Sequence, residues 1–184
     1  MNIFNFFKKK NGTDIPKFTY IDDYRFVCNT VSFAKKCNCC GIKTNIIYTN
    51  GIYSEENVDI LCPRCIINGE ASKKFKGSFN DVELSDSIDN EQAKEELEKR
   101  TPTLNTWQEV RWVACCNDYC RFIKFLSLED FENQEVLLSI QQTYKEDEGV
   151  PFEQLRVLCE ESGANILLFQ CLICKKYYIR VDLN

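Results

Sequence analysis

Paired cysteines are the residues of this sequence whose type and spacing could do chemistry. The chain has twelve cysteines among 184 residues. Two Cys-x-x-Cys pairs flank residues 41–61, and their members are Cys37, Cys40, Cys62 and Cys65. Two such knuckles on separate loops supply the four ligands that a tetrahedral zinc ion needs. We therefore predict one zinc site held by these four thiolates.

A second group of cysteines lies in the C-terminal half of the chain. Cys171 and Cys174 form another Cys-x-x-Cys, and they lie between two strand-like runs as in a zinc-ribbon hairpin. Cys116 and Cys120 are closer to knuckle spacing than Cys115 and Cys120 are. We therefore predict a second zinc site whose ligands are Cys116, Cys120, Cys171 and Cys174. The choice between Cys115 and Cys116 stays open.

The absence of histidine restricts the chemistry that this chain can perform. It excludes the hydrolytic mechanisms that use a Ser-His pair, a Cys-His pair or a zinc-histidine site. Four thiolates also leave a zinc ion without an open position for substrate. We therefore expect two structural zinc ions and no enzymatic activity. Thiol exchange by Cys62 and Cys65 is the enzymatic alternative, but the paired upstream knuckle explains that motif better.

Negative charge is concentrated in one stretch of this chain. The net charge is −5, and acidic residues dominate positions 81–98, with smaller groups at 146–148 and 160–161. An acidic protein attracts basic partners and repels phosphate backbones. A solvated face is the other interpretation of such a run. We expect a basic protein partner rather than nucleic acid, with Glu83, Asp86, Glu95 and Glu96 as candidate contacts.

The N-terminus does not resemble a secretion signal. Apolar residues precede Lys8–Lys10, whereas a signal peptide places its charge before its apolar run. No apolar run approaches the length that spans a membrane. The expected location is the cytoplasm, which keeps thiolates reduced for metal binding.

Turn and capping residues indicate the elements that position the cysteines. Asn50-Gly51 predicts a hairpin turn between residues 44–49 and 52–54, and a helix is expected after Cys65. Asn90 should cap an exposed helix over residues 91–99. The Thr106–Glu109 capping box predicts another helix that carries Trp107.

The remaining elements complete an α+β fold. Two helical segments are expected from Leu128 to Tyr144 and from Pro151 to Glu161, followed by strands at 165–170 and 176–183. Small antiparallel hairpins should carry the zinc knuckles, with helices packed around them. We expect a shared core of Phe75, Phe79, Trp107, Val110 and Phe122, with Trp112 at its flank.

Several segments together resemble the CbrC family of small bacterial cysteine-rich proteins, named for an association with tolerance to a DNase-type colicin. The resemblance covers residues 16–125 and 165–182, and its most specific part is CPRCIINGEASKKF. The other segments are IPKF, IIYTNGIYSEE, RTP, TWQEVRWVACCNDYC with RFI, and LLFQCLIC. The family has Trp, Asp and His where this chain has Arg64, Asn68 and Cys115. Residues 131–162 have no counterpart.

The resemblance implies protection against a toxin, and it supplies no catalytic mechanism. We expect an N-terminal segment, 1–15, and one zinc-binding CbrC-like domain, 16–184, with candidate lobes 16–80 and 101–184 joined by an acidic helix, 81–100. The expected function is immunity or tolerance through direct binding of a nuclease-type toxin. The alternative is a zinc-ribbon adaptor that binds nucleic acid or a transcription component. Lys73, Lys74 and Lys76, which follow the Cys62–Cys65 knuckle, support it.

Overall fold

The computed structural model describes residues 16–144, 149–161 and 164–183. The N-terminal segment 1–15 and the acidic group 146–148 lie outside these described residues. The described part contains α1 to α5, which span Pro63–Ile67, Glu70–Phe75, Glu91–Arg100, Gln134–Thr143 and Leu155–Glu161. It also contains β1 to β7, which span Asn29–Lys36, Lys43–Ile47, Ala114–Cys115, Asp118–Tyr119, Arg121–Phe125, Asn165–Gln170 and Tyr177–Asp182.

The strands form three small antiparallel sheets. β1 pairs with β2, β3 pairs with β4, and β6 lies between β5 and β7 in a three-stranded sheet. The helices pack around these sheets, so the predicted α+β class is confirmed. The knuckles Cys37–Cys40 and Cys171–Cys174 lie in the turns of the β1–β2 and β6–β7 hairpins.

Asn50-Gly51 does not join two paired strands, so the hairpin predicted there is wrong. Gly51 has a positive φ of 84° and does turn the chain. Tyr48, before the turn, forms an isolated bridge with Leu61, whereas Tyr53, after the turn, forms one with Ser78. The two sides of the turn therefore diverge toward different partners.

The exposed helix with an Asn90 cap is confirmed as α3. The Asn90 side chain accepts a hydrogen bond from the Ala93 N–H at 3.2 Å, which satisfies one free donor of the first turn. Ala93 and Leu97 are buried. The acidic face of this helix is therefore fixed to the body by a narrow apolar stripe.

No helix begins at Thr106, so the capping-box prediction is wrong. The N–H groups of Trp107 and Gln108 donate to the Asp182 carboxylate at 2.9 and 3.0 Å. Asp182 therefore binds the N–H groups that would lie in the first turn of a helix. Residues 107–113 run beside β7 and are not helical. Trp107 is 60% exposed, which contradicts its predicted place in the core.

Trp112 occupies the core position that was expected for Trp107. It is fully buried, and its indole N–H donates to Asn80 Oδ1 at 3.2 Å. The Asn80 amide in turn donates to the carbonyls of Leu97 and Thr101. This buried network ties α3 to the chain on both sides of it.

The main hydrophobic core draws on most of the described chain. It includes Tyr48 and Phe79 before α3, and Phe122 and Phe169 after α3. A second, smaller core lies between the outer face of the three-stranded sheet and the helices α4 and α5. The two helical segments predicted for residues 128–144 and 151–161 are confirmed, each with a short 3-10 turn before the α-helix.

Candidate metal centres

The first predicted set of cysteines meets at one point in the structure. The sulfur atoms of Cys37, Cys40, Cys62 and Cys65 all lie within 4.8 Å of one another. Cys37 and Cys40 come from the turn between β1 and β2, Cys62 precedes α1, and Cys65 lies in α1. These four thiols could therefore hold a metal ion.

The sulfur spacing fits a single tetrahedral ion. A zinc–sulfur distance of about 2.3 Å places tetrahedral sulfurs about 3.8 Å apart, and Cys40 Sγ lies 3.8 Å from Cys62 Sγ. A multi-iron cluster would hold its ligand sulfurs farther apart. The site thus fits one ion rather than a cluster.

Backbone and side-chain donors hold this knuckle in shape. The Cys62 N–H donates to Cys37 Sγ at 3.2 Å. Lys74, in α2, donates from Nζ to the carbonyls of Asn38 and Cys39, both at 2.7 Å. Its ammonium group brings positive charge close to thiolates that would carry excess negative charge around a divalent ion.

The thiols of this site differ in acidity. Burial would raise the pKa of Cys37, but N–H groups of Cys40, Cys62 and Cys39 donate to its sulfur and lower the pKa below its ordinary value. Burial raises the pKa of Cys62 to about 11. Binding of a metal ion must displace the remaining thiol protons, so occupancy of the site depends on pH.

A fifth thiol at this site was not assigned a role from the sequence. Cys39 forms a second candidate group with Cys65 and Glu70, and Cys65 Sγ lies 3.6 Å from Glu70 Oε2. Cys65 is common to both groups, so Cys39 lies next to the first site as an alternative ligand. Two features of the sequence could have indicated this role for Cys39: its place between Cys37 and Cys40, and the position of Glu70 in the first turn of α2.

The second site has a different ligand set from the one predicted. The sulfurs of Cys115, Cys116, Cys171 and Cys174 lie within 4.8 Å of one another. Cys115 Sγ is 3.6 Å from Cys116 Sγ and 3.5 Å from Cys174 Sγ. These values are also close to a tetrahedral edge, so this cluster could hold a second ion.

Cys120 is replaced by Cys115 in this cluster for a reason of local geometry. Cys116 and Asn117 both have φ of 57°, which makes a tight turn between β3 and β4 and presents Cys115 and Cys116 together near its tip. Cys120, after β4, is fully buried. Its pKa is raised above the ordinary value, first by burial and then by the charge of Cys171. The signal for Cys115 was the family histidine at that position, since histidine is a common zinc ligand.

The residues around the second site adjust its thiols. Tyr178 Oη donates to Cys115 Sγ at 3.1 Å. The backbone N–H of Lys176 is the main cause that lowers the pKa of Cys174 to about 7. Burial raises the pKa of Cys115 to about 12, although the Tyr178 hydroxyl opposes this increase. The exposed Cys174 thiol, which ionises readily, thus lies beside the Cys115 thiol, which ionises with difficulty.

The candidate partner contacts fall into two groups. Asp86 and Glu96 take part in tertiary contacts: Asp86 accepts from Arg180 at 2.6 Å and from the Ala114 N–H at 3.0 Å, and Glu96 accepts from Thr19 at 2.6 Å. Glu83 and Glu95 are exposed. Glu95 forms an ion pair with Arg100 at 3.1 Å.

The described helices give no membrane-spanning element. None of them combines the length and the apolar character that a bilayer crossing needs.

Comparisons with known proteins agree on one family. A UPF0167 protein of Pseudomonas aeruginosa is 33% identical over 111 residues, which cover 59% of this chain and 62% of that protein. A UPF0167 protein of Mycobacterium bovis is 26% identical over 175 residues, which cover 91% and 93%, and a Mycobacterium tuberculosis protein gives the same values. The chain thus spans less than two thirds of the Pseudomonas relative. No solved structure matches this chain. A family model described as "Uncharacterised protein family (UPF0167)" matches residues 15–183, so the chain belongs to this family.

Proposed function

We propose that this protein holds two structural zinc ions and neutralises a basic bacterial toxin in the cytoplasm by binding it, without catalysing a reaction. The observation that carries the zinc proposal is the sulfur spacing in both clusters, which suits one ion each. Four thiolates complete the coordination of zinc, so an ion in either site stabilises the fold and offers no position to substrate.

An acidic surface supports the proposal of a basic partner. Glu83, Asp89 and Glu91 are exposed. They lie near Lys94, whose pKa is raised first by its hydrogen bond with Glu91 and further by the charges of Asp89 and Glu83. One cation therefore faces three carboxylates, and this surface, which we call the α3 acidic surface, keeps an excess of negative charge.

The toxin class comes from the resemblance to the CbrC family. Nuclease domains are basic where they hold phosphate, and an acidic protein surface can complement them. Charge complementarity of this kind mainly raises the association rate. It also fits the division of the candidate contacts, because Glu83 remains available for a partner while Asp86 binds Arg180 within the chain.

Metal analysis tests the zinc proposal. Protein purified under reducing conditions should contain about two zinc ions per chain, and Cys62→Ser should remove one ion and destabilise the fold strongly, because metal binding and folding are coupled. A folded protein that is free of metal and contains paired disulfides would contradict this proposal.

A binding assay tests the partner. The purified DNase domain of a colicin-type toxin is titrated with the zinc-loaded protein, and growth is scored when the two are co-expressed. Glu83→Lys should slow association at low salt, whereas Glu135→Lys, an equal charge change on an exposed site in α4, should not. The difference should shrink with added salt, since exposed charges are screened within about 10 Å at 0.1 M. Cell death together with no recovered complex would favour the zinc-ribbon adaptor instead.

A further inference from the structure

Strand β1 of the β1–β2 hairpin has little of its surface covered, whereas Ile46 and Ile47 of β2 pack against the body. No residue of β1 is buried, and only Val31 is even half-buried. Within the described residues β1 pairs with β2 alone. A two-stranded hairpin gains little stability in water by itself; the metal centre in its turn and the buried Ile47 hold this one, so β1 stays free to contact a ligand.

This hairpin is also a basic region of an acidic chain. No Asp or Glu occurs between Asp23 and Glu55, although the chain as a whole has a net charge of −5. Lys35, Lys36 and Lys43 are all exposed, and none of them forms an ion pair with another described residue. None of the three lysines is paired with a described carboxylate, and their positive charge exceeds the net charge of −2 that four thiolates give a divalent ion in the turn.

Two of these lysines face each other across the strands. Lys36 and Lys43 are register partners in the β1–β2 ladder. Like charges that lie directly opposite each other destabilise a sheet. A polyanion that lies across the hairpin would relieve this repulsion, so their placement favours an anionic ligand.

Apolar groups accompany the cations. Phe33 is 83% exposed and lies two residues before Lys35, and Ile42 is 53% exposed beside Lys43. A groove of about 240 Å³ opens where the hairpin meets α1, and its lining includes Ile42, Lys43, Ile46, Pro63 and Arg64. The surface therefore offers an aromatic ring, an apolar groove and cations within one hairpin.

We propose that the β1–β2 hairpin is a docking surface for single-stranded nucleic acid. Such a strand combines regularly spaced negative charges with unstacked bases, and these bind to lysine side chains and to exposed aromatic rings respectively. Successive strand residues point to opposite faces, so Lys36 and Lys43 lie on one face of the hairpin and Lys35 on the other. The phosphates of a flexible strand follow these lysines around the hairpin, and a base stacks on Phe33. An acidic protein could pair its carboxylates with the lysines, but it has no bases to stack on the Phe33 ring.

The net charge of the chain is compatible with this surface. Charges separated by more than about 10 Å are largely screened at 0.1 M salt, so a local group of lysines can act independently of the α3 acidic surface. The proposal is also independent of toxin binding, because it involves neither that surface nor its residues.

Fluorescence anisotropy with a fluorescein-labelled 20-nucleotide oligothymidine at 50 mM salt tests the proposal. We expect saturable binding by the zinc-loaded protein, weakened about tenfold by Phe33→Ala through loss of stacking. Lys35→Glu should weaken binding and lower the slope of log affinity against log salt by about 0.7. Arg156→Glu is the matched control, since it makes the same charge change at an exposed position in α5.

The comparison ligands define the failure of the proposal. A 20-base-pair duplex should bind more weakly than the single strand, because its bases are not free to stack. Polyglutamate should also bind more weakly. Absence of oligothymidine binding, equal binding of polyglutamate, or unchanged affinity of Phe33→Ala would each overturn it. All three substituted residues are exposed, so zinc content and thermal unfolding should stay unchanged.

Discussion

The Tyr178 hydroxyl donates a hydrogen bond to Cys115 Sγ at 3.1 Å and thereby links strand β7 to the second metal centre. The bond crosses from one hairpin to the other, since Cys115 belongs to the β3–β4 hairpin and Tyr178 to the β6–β7 hairpin. The same bond raises the pKa of Tyr178, because the hydroxyl proton is held by the sulfur. Groups that bind a metal ligand in this way orient it.

Tyr178→Phe should therefore weaken the second site and leave the first intact. Loss of such a partner typically lowers metal affinity by about 10- to 100-fold. Competition with a chromophoric chelator measures this effect. One of the two ions should leave the variant at a lower chelator concentration than it leaves the unsubstituted protein. Tyr177→Phe, the neighbouring substitution, should release both ions as the unsubstituted protein does. Equal release from Tyr178→Phe would show that the hydroxyl has no such role.

Cys115→Ser and Cys120→Ser should separate the two candidate ligand sets of the second centre. Cys115→Ser should remove one zinc ion per chain, because its sulfur lies inside the four-thiol group. Cys120→Ser should keep both ions but lower stability, since it places a hydroxyl at a fully buried position. Elemental analysis together with urea unfolding distinguishes the two outcomes. Loss of zinc from Cys120→Ser would restore the ligand set predicted from spacing.

Lys74→Met should loosen the first knuckle. The substitution keeps most of the apolar chain but removes the ammonium that donates to the carbonyls of Asn38 and Cys39. We expect metal affinity at the first site to fall about tenfold, the lower end of such effects. Lys73→Met is the control, because Lys73 is also exposed in α2 and makes no described contact with the knuckle. A similar change in both variants would mean that the effect is general electrostatics.

Trp112→Phe should destabilise the protein far more than Trp107→Phe. The first change leaves the buried Asn80 oxygen without its donor and opens space in the main core. Together these should cost about 2–3 kcal/mol in the free energy of unfolding. Trp107 is mostly exposed, so its replacement should cost less than about 0.5 kcal/mol. Urea denaturation measures both values. Acrylamide should quench the fluorescence of Trp107 much more strongly than that of Trp112.

Local signals in the sequence were sufficient where the interaction was itself local. The Cys-x-x-Cys spacing indicated the first metal centre and the Cys171–Cys174 half of the second, because the ligands of a knuckle lie within one turn. Asn90 indicated the start of α3, since a cap bonds to a residue three positions ahead. The α+β class followed from hairpins and helices of this kind.

Tertiary contacts decided the remaining features. The capping box at Thr106 does not form, because the Asp182 carboxylate accepts hydrogen bonds from the amide donors of Trp107 and Gln108. Asp182 lies more than seventy residues away in sequence. Trp107 was thereby turned to solvent and Trp112 to the core. Cys115 joined the second centre because the turn at Cys116 and Asn117 brings it to Cys174. Spacing along the chain carries no information about which distant segment will approach, so these outcomes required the packed structure.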